Sequence, residues 1–323
     1  MQAWHIQSDH TLKLANTDQP EPGPDQVRVQ VKAVGINRAD ILQVKGVYPA
    51  PPGYDSAVPG LEYAGVIDAV GPKVLGRKVG DRVMGLIPGG SYCEALVTHE
   101  RETLVLPDEI DFATGATIPE AFLTAYRALF VEGGLQPGQW CLVRPATAGV
   151  GLAAVQLAQA LGARPIGSTR DAANLATARD LGLAGEVIEN DSLPDQLLEL
   201  TGGQGVAVIM DMVGPEWGTL LKGLRIEGKL VLVGVLGGTQ CHLDLRGLLQ
   251  RRQSITAMTM RSQPIEKRIT MANLFNDRLA PLFANGQLKP LPLVTFPFSD
   301  APEAHRHMLE ETFSGKRVLV MEP

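Results

Sequence analysis

The sequence predicts an α/β protein with two modules, one rich in short β-strands and one built as a parallel sheet covered on both faces by helices. Three observations predict it. Short alternating apolar and polar runs fill residues 1–120, strand-like and helix-like runs alternate after 121, and the segment 291–323 returns to strand, helix and strand. At 323 residues the chain also exceeds what one hydrophobic core usually organises.

In the first module "QVRVQVKAVGI" (26–36) alternates apolar and polar side chains, and "YAGVIDAVG" and "DRVMGLI" follow, each bounded by Gly or Pro. From "TAYRALF" onward the period changes. Strands are expected at 140–144, 164–168, 186–188, 206–211 and 229–235, with helices at 149–161, 171–181, 193–200 and 216–224. In "LPLVTFPFSDAPEAHRHMLEETFSGKRVLVMEP" the last strand needs a sheet, and the first module is the expected one. The division is therefore 1–120 with 285–323 against 121–284.

Composition narrows the function. Hydrophobic residues at 45% and charged residues at 20% describe an ordinary globular protein, and a net charge of −6 argues against nucleic acid as a partner. The three cysteines, Cys93, Cys141 and Cys241, are odd in number and widely spaced, so a disulfide framework or Cys-x-x-Cys metal site is not expected and a reducing compartment is. The start "MQAWHIQSDH" lacks the pattern of a signal peptide, and "KLVLVGVLGG" is too short to cross a bilayer. A cytoplasmic protein without a membrane partner is expected.

The stretch "LVRPATAGVGLAAVQLAQALGA" (142–163) carries the chemistry. Gly149-x-Gly151-x-x-Ala154 matches the dinucleotide pattern G-x-G-x-x-G/A between a strand and a helix, as a Rossmann domain requires. Gly149 is assigned the tight turn, Gly151 the close approach of a pyrophosphate, and Ala154 the packing of helix on sheet. The N–H groups around Ala148, Gly149, Val150 and Gly151 would meet the phosphates at the helix's positive end. Val150, Ala154, Leu157 and Leu161 share one helical face, expected to pack on the sheet. At the end of the second strand, where an NAD enzyme places a carboxylate on the ribose, the chain reads Ser168, Thr169 and Arg170. Hydroxyls beside a guanidinium suit a 2′-phosphate, so NADP (as NADPH) is the expected cofactor. Asp171 is the competing signal for NAD.

With that turn in view, "AVGINRADILQVKGVYPAPPG", "PGLEYAGVIDAVG", "GDRVMGL", "IPEAFLTAYRAL" and "GKRVLV" resemble the medium-chain dehydrogenase/reductases. The likeness is greatest to the zinc-independent quinone oxidoreductases, the zeta-crystallin-like branch. It implies a GroES-like catalytic domain from both ends of the chain, a Rossmann domain, and an active site in the cleft between them. It also implies a homodimer through the Rossmann sheets, with "SITAMTM" (254–260) as edge strand. Zinc-ligand positions of related alcohol dehydrogenases correspond here to Asn37, Leu61 and a place near Glu120, so two of the three side chains do not suit zinc, and no metal is expected. His305 and His307, two apart on a helix, diverge rather than chelate.

The resemblance places Asn37 and Thr124 at the nicotinamide, against its carboxamide. Tyr48 lines the acceptor pocket or else packs beside its proline loop; as a pocket residue its phenol would stack on a planar quinone or donate to its oxygen. Asp40 is assigned to holding its loop. Val213, Val235 and Gly237, near the carboxyl ends of later strands, are candidate cofactor contacts. Lys316 either reaches the cleft or lies at the surface. The implied activity is NADPH-dependent reduction of a quinone or enone by metal-independent hydride transfer. Two alternatives remain, an enoyl-thioester or alkenal reductase and a nucleotide-sensing or structural protein with little turnover.

Overall fold

The computed structural model describes residues 1–322, which divide into two compact units, Met1–Glu120 with Met260–Pro323, and Ala121–Thr259. In the first unit the long strand Gln26–Ile36 is the organiser. Val27, Val29 and Val31 are fully buried while Arg28 and Gln30 between them are half-buried, the period of two expected of a sheet with one face on a core. This strand pairs antiparallel with Glu62–Val70, with Ala95–His99 and with Lys316–Val320, so the C-terminal strand does join the first module. Leu293–Pro297 lies parallel to Lys316–Val320, while Arg82–Leu86 and Thr103–Val105 extend the sheet beyond Glu62–Val70. Trp4, Tyr63, Ile67, Tyr92, Leu96, Phe298 and Leu319 belong to its core, and the Trp4 indole N–H donates to the Phe298 carbonyl at 2.8 Å.

The second boundary differs from the sequence reading, which gave 260–284 to the parallel-sheet module. The helix Ile265–Leu274 packs against Thr103–Val105 and the turn before it. Arg268 pairs with Glu102 at 2.5 Å, both side chains nearly buried, and Asn276 accepts the Val105 N–H. Helical periodicity shows that this segment is helical; it carries no information about which sheet it covers.

In the second unit six parallel strands run in the order Gly185–Ile188, Arg164–Thr169, Trp140–Arg144, Val206–Asp211, Leu224–Leu232, Ser254–Ala257. Val206–Asp211 is buried at every position, as a strand covered on both faces must be. Burying a single Leu or Ile here contributes about 1.5–3 kcal/mol, and Leu142, Ile166, Leu197, Ile209, Leu224 and Leu230 are all fully buried. Ser254–Ala257 is the edge strand, shorter than the 254–260 that the resemblance implied.

Three local expectations are corrected. The Gly149–Ala160 helix is buried all round from Gly151 to Ala158 instead of along one face, with Val150 and Leu161 only half-buried; Ala153, Ala154 and Ala158 make it thin enough to be enclosed. The 171–181 segment opens as a 3₁₀ turn, Ala172–Leu175, before the helix Ala176–Asp180. The 216–224 segment is helical only over Trp217–Leu220 and the 3₁₀ turn Leu221–Gly223, and the next strand already starts at Leu224 and ends at Leu232, short of 235. Gly223 lets the turn pack closely on Leu197, since a Cβ there would lie 2.7 Å from the Leu197 side chain. No helix among the described residues is long and apolar enough to cross a membrane.

Candidate active site

The nucleotide end of the parallel-sheet unit is built from a strand, a turn and a helix. Trp140–Arg144 leads through Pro145–Thr147 to Ala148, the N-cap of the helix Gly149–Ala160. No side chain caps this helix, so the N–H groups of its first turn point out with their partial positive charge. Gly151 is demanded by the turn itself, since a Cβ there would lie 2.2 Å from the Pro145 carbonyl oxygen. Ala154 is fully buried, in keeping with its assigned packing.

At the end of the neighbouring strand Ser168 is fully buried and its Oγ has no hydrogen-bond partner among the described residues. The Thr169 hydroxyl donates to the Asp171 carbonyl at 3.0 Å. Asp171 Oδ1 accepts the Ala173 N–H at 3.0 Å and so caps the 3₁₀ turn, while Arg170 is exposed and forms no ion pair among the described residues. Thr124, 4% exposed, likewise has an unpartnered Oγ. Uncapped N–H groups, orphaned hydroxyls and an unpaired guanidinium fit the phosphates and carboxamide of a nicotinamide dinucleotide.

The carboxyl ends of the middle strands hold an ion cluster that the sequence reading missed. Arg144, buried, binds Glu189 at 2.9 Å, Glu216 at 2.7 Å and Asp211 at 3.5 Å. Asp211 also accepts the N–H groups of Val213 and Gly214 and the Trp217 indole N–H at 2.6 Å. Val213 lies just past its strand, and Gly237 is tied to it by a 2.7 Å backbone hydrogen bond; Val235 is exposed beside them. The signal was an arginine and an aspartate each closing an apolar run, "CLVR" and "VAVIMD".

In the β-rich unit the residues cluster around the helix Arg38–Val44. Asp40 Oδ2 accepts the Asn37 N–H at 2.8 Å, which starts the helix and gives Asp40 the loop-holding role assigned to it. The Asn37 side chain accepts from Lys316 Nζ at 2.6 Å and donates to Glu62 Oε1 at 2.9 Å; Lys316 also donates to Glu62, whose other oxygen accepts the Glu120 N–H at 2.9 Å. Asn37, Asp40, Glu62 and Lys316 are all buried. Lys316 is therefore neither at the surface nor free. Burial works to lower its pKa, but Glu62 and the other nearby carboxylates outweigh this and hold the ammonium above its ordinary value. Glu62, from "PGLE", was not singled out because its partner lies 254 residues away.

A second chain of contacts runs from Asp40 to the Tyr92 hydroxyl at 3.3 Å and on to His305 Nε2 at 2.9 Å. Burial raises the Asp40 carboxyl to about 7 against the Asn37 N–H and Lys316, and burial lowers the His305 imidazole to about 4. His305 and His307 do diverge: the latter's Nδ1 accepts from Arg317 at 3.2 Å. Among the described residues no group of three or more His, Cys, Asp or Glu side chains is placed to hold a metal ion. Burial also pushes the Cys93 and Cys141 thiols up to about 12, which leaves them unreactive.

Tyr48 is half-buried, with the Arg261 guanidinium 5.1 Å from its ring centre. Arg261, 4% exposed, donates to the Tyr48 carbonyl at 2.6 Å, to the Pro88 carbonyl and to Gln43 Oε1, and has no ion pair among the described residues. Burial raises the Tyr48 phenol's pKa and Arg261 opposes the rise. This arginine holds the ring by stacking and by its backbone; nothing in "TAMTMRSQ" announced it.

A GroES-like β-rich domain and a parallel-sheet domain with an uncapped glycine turn together define a nicotinamide-dependent dehydrogenase/reductase. The Alcohol dehydrogenase GroES-like domain family matches residues 23–127, and the Zinc-binding dehydrogenase family matches residues 149–276. A quinone oxidoreductase of Pseudomonas aeruginosa is 35% identical over 317 residues, covering 96% of this chain and 95% of the relative. The chain belongs to the zinc-independent quinone oxidoreductase family of the medium-chain dehydrogenase/reductases, and it is an oxidoreductase.

Among solved structures, a quinone oxidoreductase of Pseudomonas syringae pv. Tomato superposes with a TM-score of 0.88 at 30% identity, covering 99% of both chains. The CurK enoyl reductase gives 0.87 at 26% identity, again over 99% of both. The pikromycin polyketide synthase component PikAII of Streptomyces venezuelae is 34% identical over 315 residues, which is 95% of this chain but 8% of that protein.

Proposed function

We propose that the protein is an NADPH-dependent quinone reductase that works without a metal ion. The observation that carries the cofactor choice is the pair Arg170 and Asp171: the guanidinium is unpaired, while one oxygen of the carboxylate that would favour NAD is turned to the Ala173 N–H. Ser168 and Thr169 add hydroxyls for the 2′-phosphate, and the first turn from Ala148 to Gly151 offers N–H groups for the pyrophosphate. Val213, Val235 and Gly237 would supply backbone and van der Waals contacts.

When bound, NADPH supplies the hydride, and the chain's task is orientation and charge stabilisation. The unpartnered Thr124 hydroxyl serves the carboxamide. Asn37 Oδ1 accepts from Lys316 and keeps a second lone pair for a carboxamide N–H, so Lys316 acts through Asn37. Tyr48 offers its ring and hydroxyl to a planar acceptor, with the Arg261 charge behind it opposing the negative charge that grows on the acceptor oxygen. The family relatives described as quinone oxidoreductases support a quinone as acceptor. The enoyl reductase likeness keeps an enoyl thioester as the second reading. A cytoplasmic homodimer through the exposed edge strand Ser254–Ala257 completes the reading, and light scattering would test the dimer.

Turnover of NADPH and of NADH is measured with a quinone panel and with crotonyl-CoA, with and without chelator. Faster NADPH oxidation with quinone, indifferent to chelator, is expected. Preference for crotonyl-CoA would move the function to the enoyl reductases, and tight NADPH binding without turnover would make the protein a sensor.

A further inference from the structure

The parallel-sheet unit has a second concave site, at the end of the sheet away from the glycine turn. It lies where four adjacent strands begin, at Trp140, Arg164, Val206 and Leu224, and encloses about 360 Å³. Strands of five or six residues at about 3.3 Å per residue put it roughly 16–20 Å from the carboxyl ends that carry Ser168, Thr169 and Val213.

Two arginines line this cavity, and no acidic residue does. The Arg164 guanidinium stacks on the Trp140 ring, 5.3 Å from its centre, which fixes a planar cation without neutralising it. Arg225 Nε is buried and has no hydrogen-bond partner among the described residues. Arg164 is exposed and Arg225 half-buried, and neither forms an ion pair among the described residues, although the chain as a whole carries a net charge of −6 and the buried Arg144 is paired with carboxylates. The Arg225 side chain lines the cavity with its charge unneutralised, and an oxyanion is the ligand that would compensate it. Gln139 and Gln204 add amide groups at the rim.

We propose that this cavity binds a small dianionic oxyanion, the phosphate group of a free phosphate or a phosphate monoester, clamped between Arg164 and Arg225. Guanidinium forks match phosphate oxygens in geometry and charge, and a volume of this size takes a phosphate with a few additional heavy atoms but not a dinucleotide. The Trp140 indole gives the site its own reporter, since Trp4 lies in the core of the other unit and the Trp217 indole N–H is bound to Asp211.

Inorganic phosphate and glycerol 3-phosphate are titrated calorimetrically into protein saturated with NADP⁺, which fills the phosphate-binding turn, and the Trp140 indole ¹⁵N–¹H resonance is followed in parallel. Saturable binding that shifts Trp140 and weakens by about tenfold or more in Arg225→Gln and in Arg164→Gln is expected, each lost guanidinium–phosphate contact being worth at least that factor. Tighter binding of glycerol 3-phosphate than of phosphate would identify a phosphate monoester as the ligand; equal binding would identify the free ion. Arg225→Lys, which keeps the charge but loses the fork, should bind with intermediate strength and guards against a misfolded variant. Absence of saturable binding, or binding that leaves Trp140 unmoved and survives both Gln substitutions, would overturn the proposal.

Discussion

In the parallel-sheet unit Thr124, Ser168 and Arg170 keep their donors unpaired, and the first turn of the Gly149–Ala160 helix has no side-chain cap. In the β-rich unit the comparable groups, Asn37, Glu62 and Lys316, close on one another, and Asp40 closes on Tyr92. The difference follows from the ligands each would meet. A dinucleotide brings charged phosphates and amides that repay open donors, whereas in the β-rich unit only the spare Asn37 lone pair would serve the cofactor, and buried charges left open near a flat neutral acceptor would be costly.

Removing one partner from the closed cluster is the harshest way to break this contrast. Glu62→Gln leaves the Lys316 ammonium buried without its counter-charge and should destabilise the fold by about 3–5 kcal/mol. The double variant Glu62→Gln with Lys316→Met should recover much of that loss, as read from urea unfolding midpoints. If the single variant unfolded like the parent, the cluster would not be closed as described.

The Asp40–Tyr92–His305 chain gives a pH test. Asp40 titrates near 7 in the folded protein against an ordinary 3.8, so the native state holds a proton that the unfolded state lacks between those values, and this contribution to stability falls as pH rises from about 4 to 7. His305 titrates near 4 against an ordinary 6.5, so the unfolded state holds the extra proton and this contribution falls as pH drops from about 6.5 to 4. The two slopes oppose one another. His305→Gln should expose a stability that declines with rising pH over this window, and Asp40→Asn one that increases; unfolding free energies measured across pH 4 to 7 would show both.

Gly151→Ala brings a Cβ to 2.2 Å from the Pro145 carbonyl oxygen and must displace the turn. NADPH binding should weaken by about a hundredfold, since the phosphate-facing N–H groups move with it. Smallest of these is Tyr48→Phe, which keeps the ring under Arg261 and loses the hydroxyl. A drop in kcat/KM of about tenfold, with cofactor affinity unchanged, corresponds to one hydrogen bond lost in the transition state. An unchanged kcat/KM would assign Tyr48 to packing alone.

Much of this was legible in the sequence, for physical reasons. Alternation in Gln26–Ile36 and the strand–turn–helix around Gly149 are local patterns, and both elements formed where expected. Ser168, Thr169 and Arg170 could be proposed because their distance from the glycine turn along the chain is set by one helix and one strand. The Glu62–Lys316 pair was out of reach, because no local pattern relates residues 254 positions apart, and Arg261 met Tyr48 only through folding of a segment assigned to the other module. Lengths misled at 216–224, where a short helix, a 3₁₀ turn and an early strand replace one longer helix.

The contrast rests most directly on Arg170. Dissociation constants for NADPH and NADH are measured calorimetrically on the parent protein and on Arg170→Ala. NADPH should bind about tenfold or more tightly than NADH to the parent, and the substitution should remove most of that preference while leaving NADH binding unchanged. Equal binding of the two cofactors by the parent, or a preference that survives the loss of Arg170, would contradict the reading of this unit as an open NADPH site.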